Sequence, residues 1–80
     1  MSQKEKLLQK FLDRPESLKY PQILLILQSL GFEHIPAKGS HQKFKHPQLD
    51  QDLIIPVHQN DCKGYYKIKA SKLIRDNHLN

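Results

Sequence analysis

The stretch Gly31-Phe32-Glu33-His34-Ile35-Pro36-Ala37-Lys38-Gly39-Ser40-His41-Gln42-Lys43-Phe44-Lys45-His46-Pro47 decides the fold. Gly31 closes a helical pattern, and a short apolar run follows it. Lys38, Gly39 and Ser40 then turn a corner into an alternating segment. Strand side chains repeat every two residues, so His41, Lys43 and Lys45 fall on one side and Gln42, Phe44 and His46 on the other. An imidazole and two ammonium groups therefore share a face, beside a glycine that lets a ligand approach the backbone. That surface suits a phosphodiester.

Upstream of this stretch, Tyr20-Pro21 opens a helix, with Pro21 in the first turn where its missing N–H costs nothing. Ile23, Leu24, Leu27 and Leu30 give the helix a broad apolar face, and Gly31 is its natural stop. Leu25 and Ile26 widen that face, which predicts contacts on two sides. Further back, Ser2 and Glu5 fit a capping box ahead of Leu7, Leu8, Phe11 and Leu12. This first helix should end near Asp13, because Arg14 precedes Pro15 and is biased away from helical geometry. Residues 13–19 then read as a linker turn.

Downstream, residues 32–37, 40–46 and 52–57 read as three strands, with Pro36 and Pro56 at strand ends or edges. Residues 47–51 form a hairpin loop of ordinary length. Leu53, Ile55 and Val57 point to one face, and Ile54, Pro56 and His58 to the other. A polar loop over 58–64 leads to a helix from Tyr65. Its inward stripe is Tyr66, Ala70, Leu73 and Ile74, with Lys69, Lys72 and Arg75 opposite, and residues 76–80 should fray. The order α-α-β-β-β-α predicts an α+β fold, a three-stranded antiparallel sheet with helices on one face. Phe44, Leu53, Ile55 and Val57 would face those helices.

Eighty residues make one domain, 1–80, with a small core. A formal charge of +5 favours polyanionic partners, nucleic acid first. The single cysteine excludes an intramolecular disulfide. The aliphatic run from Ile23 to Leu27 is too short for a bilayer, and the polar residues 2–6 lack a signal-peptide core. These features predict a cytoplasmic protein without membrane contact. His58 and Cys62 have ligand-like spacing beside Asp61, but no second pair completes a zinc site, so neither a metal nor another cofactor is expected.

RNA cleavage needs no protein nucleophile, because the 2′-OH attacks the adjacent phosphate. The protein must move protons and stabilise charge. An imidazole such as His41 serves as base or acid, a contribution of roughly a hundred- to ten-thousand-fold. Lys38, Lys43 and Lys45 can stabilise the developing charge. Gly39 and Ser40 can present N–H groups in a phosphate-binding nest. His58 is either a second imidazole or a phosphate contact. The same residues also fit a solvated strand face and an ordinary turn. Tyr65 and Tyr66 can stack on bases, although Tyr66 also fits the core.

Leu30-Gly31-Phe32-Glu33, Lys38-Gly39-Ser40-His41-Gln42-Lys43-Phe44 and Ile55-Pro56-Val57-His58, in that order, resemble the HicA toxins of bacterial type II toxin–antitoxin systems. The resemblance covers residues 20 to 73, and the helix through Pro15 resembles an extension seen in some relatives, so 1–19 would precede a core at 20–75. It implies a double-stranded-RNA-binding-domain-like fold. It also implies a ribosome-independent mRNA interferase neutralised by a HicB-type antitoxin. The family's catalytic histidine, in its glycine-serine-histidine motif, corresponds to His41, and its second histidine position to His58. The expected function is a metal-independent toxin endoribonuclease acting on single-stranded mRNA, monomeric when alone. A non-catalytic RNA-binding module and a degenerate toxin acting through protein contacts are the alternatives. The residues of loop 59–64 and the lysine-rich last helix depart from the family pattern.

Overall fold

A computed structural model of the chain describes residues 3–37 and 39–80. The elements are α1 (Gln3–Asp13), a 3-10 turn (Pro15–Ser17), α2 (Tyr20–Ser29), β1 (Glu33–Pro36), β2 (His41–Lys45), β3 (Leu53–Pro56) and α3 (Gly64–Asp76). The strands form one antiparallel sheet in the order β1-β2-β3. The α+β class and the α-α-β-β-β-α order are those the sequence predicts. Ser2, the expected cap of α1, and Lys38 lie outside the described residues.

One core joins the layers. Phe11 of α1, Ile23 and Leu27 of α2, Phe44 of β2, Ile55 of β3 and Ile74 of α3 are all fully buried in it. Phe44 pairs with His34 and Leu53, and Gln42 with Pro36 and Ile55, so these side chains share the inward sheet face. Val57 packs partly buried against the same core.

Gly31 ends α2 for a backbone reason. Its φ is +96°, and its N–H donates to the Gln28 carbonyl at 3.2 Å. The Phe32 N–H reaches the Leu27 carbonyl at 3.0 Å, completing a Schellman motif. The motif aims the chain into β1 with Phe32 already buried. His46 secures the same corner. Its Nε2 lies 3.0 Å from the Leu30 carbonyl, its Nδ1 accepts from the Gln48 N–H at 3.1 Å, and its ring packs on Phe32 at 4.8 Å. An accepting Nδ1 puts the ring proton on Nε2.

Three expectations need correction. Leu25 does not meet a second layer but is 61% exposed, because α1 crosses α2 on the side of Ile26 and leaves Leu25 on the rim of a groove with Leu7. The inward stripe of α3 is Lys67, Ala70, Ser71 and Ile74, with Tyr66 and Leu73 only partly covered. On this inward side Lys67 pairs with Asp61 at 3.0 Å. The chain end does not fray: His78 adopts φ +53°, the Leu79 N–H bonds to the Ile74 carbonyl at 3.0 Å, and Leu79 packs on the core. In addition, Arg75 donates to the Leu12 carbonyl at 2.6 Å, placing a cation at the negative end of α1.

Candidate active site on the outer sheet face

The outer sheet face is built by strand alternation. His41 lies opposite Pro56, Lys43 lies between Ile35 and Ile54, and Lys45 is opposite Glu33. His41 and Lys45 are exposed, and Lys43 is half-buried. Lys43 Nζ is 3.7 Å from Asp52 Oδ2, so one of the two lysines is held by a carboxylate at the edge of the face.

The β1–β2 connection supplies the rim of the site. The Ala37 N–H reaches the His41 carbonyl at 3.2 Å, and Gly39 sits at φ +69°. A side chain on Gly39 would meet nothing within 4 Å, so the space above its backbone is open. The Val57 N–H donates to the Ser40 carbonyl at 2.7 Å, which carries the β2–β3 register one residue beyond the strands. His58 is exposed on the same face as Pro56 and therefore as His41.

A tight turn holds His58. The His58 N–H bonds to the Asp61 carbonyl at 2.8 Å, and the Asp61 N–H returns to the His58 carbonyl at 3.0 Å. Gln59 and Asn60 both have positive φ, 53° and 63°, the signature of a type I′ hairpin turn.

Asp61 does what the sequence did not foretell. Its Oδ1 accepts from the N–H groups of Tyr20 at 3.1 Å and Cys62 at 2.9 Å, and from Lys67 Nζ at 3.0 Å. Its Oδ2 has a looser contact with the exposed Lys19 at 3.9 Å. Burial pushes the carboxyl pKa upward, but the Cys62 amide, the Lys67 ammonium and the Tyr20 amide outweigh it, and the net shift is downward. The carboxylate thus ties the start of α2 to α3 beneath His58. The signal lay in Lys67, which stands three and seven residues before Ala70 and Ile74 and hence on their stripe. Burial also raises the Cys62 thiol, a rise that Lys67 opposes and Asp61 supports. Among the described residues, no group of three or more His, Cys, Asp or Glu side chains is arranged to hold a metal ion.

The remaining histidines of the sheet are structural. His34 stacks on Phe44 with centroids 4.9 Å apart, and its Nε2 lies 2.7 Å from Gln42 Oε1. His46 braces the α2–β1 corner. The outer face therefore carries His41 at the end of the sheet where Gly39, Ser40 and His58 lie, Lys43 at its middle, and Lys45 at the opposite end beside Glu33. It leaves His34 and His46 on other business.

The family model described as the HicA toxin of bacterial toxin-antitoxin matches residues 20–69, from the start of α2 through the sheet into α3. The chain belongs to the HicA toxin family. No curated protein and no solved structure matches it. HicA toxins are endoribonucleases, so an RNA substrate and an antitoxin partner come with membership. The HicA match takes in the Gly39-Ser40-His41 corner and the Pro56-Val57-His58 strand end. Among the described residues, no helix is long and apolar enough to cross a membrane.

Proposed function

We propose that this HicA toxin cuts single-stranded mRNA by transesterification, with His41 as a proton-transfer catalyst. The observation that carries the reading is the exposure of His41 beside Gly39, whose open backbone gives a phosphate room to approach. In the proposed step the 2′-oxygen attacks phosphorus and the bond to the 5′-oxygen breaks. The proton leaving the 2′-OH goes to a base, and a proton is delivered to the departing 5′-oxygen. His41 supplies one of these transfers. Lys38 and Lys43, with the amides of Gly39 and Ser40, offset the charge on the phosphorane, and Lys45, at the other end of β2, meets a neighbouring phosphate of the strand. His58, exposed two residues beyond the cross-strand neighbour of His41, is the second imidazole at the phosphate. No metal takes part in this scheme. The antitoxin is of the HicB type, and the free toxin is a monomer acting in the cytoplasm.

The test is to incubate purified toxin with end-labelled single-stranded RNA in excess chelator and to analyse the new termini. Fragments ending in 2′,3′-cyclic phosphate are expected. Fragments ending in 3′-OH, or cutting that stops with chelation, would refute the mechanism.

A further inference from the structure

Beside the candidate catalytic face lies a depression of about 320 Å³, lined by Pro56, His58, Asp61, Cys62, Lys63 and Tyr66. Its volume is at the lower end of small-molecule sites, roughly 300–1,000 Å³, enough for one flat ring system. Two of its walls belong to the face already described. Pro56 is the cross-strand neighbour of His41, and the exposed His58 follows it two residues on. A strand of RNA with its phosphate at His41 therefore has this depression beside it, across Pro56.

The lining has the chemistry of a base site. Pro56 and the half-buried ring of Tyr66 provide flat apolar surface. Tyr66 is held by the edge-on ring of Tyr65 at 5.1 Å and 87°. Asp61 is an acceptor whose Oδ1 is already committed to three donors, which fixes its orientation. Among the described residues its Oδ2 meets Lys19, a side chain that is itself 79% exposed. Lys67 and Lys19 offset its charge, so the carboxylate can accept an N–H from a base edge without repelling the backbone that carries it. Lys63, exposed at the rim, supplies a counter-charge for a flanking phosphate.

We infer that this depression binds one unpaired nucleobase next to the cleaved phosphate, stacked on Tyr66 and Pro56 with an N–H directed to Asp61. The inference rests on the ribonuclease reading and assigns that activity a base-recognition subsite.

Cys62 gives a direct probe, because it is the chain's single cysteine and is half-buried in the lining. Wild-type toxin is first used to map a cut in a long RNA. A decamer spanning the cut is then bound to the His41→Ala protein, and alkylation of Cys62 by N-ethylmaleimide is timed. The intact decamer should slow alkylation at least tenfold. One abasic nucleotide beside the cut should remove that protection and weaken binding by about five- to a hundred-fold, the range for one stacked base. Alkylation at the free-protein rate with decamer bound would overturn the subsite and leave the nuclease reading intact. Protection that survives every abasic replacement would show cover by the backbone alone and would also overturn it. Absence of any cut by the wild-type toxin would remove the nuclease reading and this inference together.

Discussion

The Asp61 carboxylate stands 3.0 Å from the ammonium of Lys67, a lysine only 6% exposed. A buried ammonium without its counter-ion is costly, and the same carboxylate also satisfies the first amide of α2. The Asp61→Ala variant should lose about 3 kcal/mol, the low end for a broken buried pair because Asp61 itself is partly in water. That corresponds to a fall in melting temperature of about 12 °C or more for a chain of this size. Adding Lys67→Met should restore much of the loss, since removing both charges leaves nothing unpaired. Calorimetry of the single and double variants checks this; a single variant as stable as wild type would refute it.

The same carboxylate makes the fold sensitive to acid. Its pKa in the folded chain lies below the ordinary 3.8, so the unfolded chain takes up the proton first as pH falls. The stabilisation is complete above that ordinary value and is lost as pH drops through the folded one. Denaturant titrations of wild type and Asp61→Asn should therefore differ at neutral pH, draw together as pH falls past 3.8 and converge only below the folded-state pKa. A gap that stays constant into acid would contradict the assignment.

Gly39 separates conformation from access. Its φ of +69° is in the region that asparagine tolerates better than other side chains, and a Cβ there meets open space. Gly39→Asn should cost no more than about 1 kcal/mol of stability. The added side chain would fill the open space at the corner leading into His41, and cleavage should fall roughly tenfold or more from misplacement of the phosphate. Parallel measurement of melting temperature and initial rate decides it. An unchanged rate would mean that the phosphate does not pass over Gly39.

The sequence was most informative where local chemistry dictates structure. Glycine after an apolar helical face announced the Schellman turn at Gly31, and strict alternation placed Phe44 inward and His41 outward. It was least informative where distant groups decide. Asp61 reads as a loop carboxylate, and its partners Tyr20 and Lys67 lie on two different helices. The inward side of α3 carries Lys67 and Ser71 beside Ala70 and Ile74, which apolar periodicity alone does not mark. Leu25 looked like core because periodicity cannot tell which side of a helix will find a neighbour. The relation of His58 to His41 needed the register of Val57 against Ser40, a pairing that no single strand encodes.

The central claim is most directly tested by replacing His41 with alanine and comparing the purified variant with wild type and with His46→Ala. The His41→Ala protein should bind single-stranded RNA and melt as wild type does, yet cut at least about a hundred-fold more slowly. His46→Ala, which loses a bond to Leu30 and a contact with Phe32, should melt earlier and keep its cutting rate per folded molecule. Undiminished cleavage by His41→Ala would contradict the account.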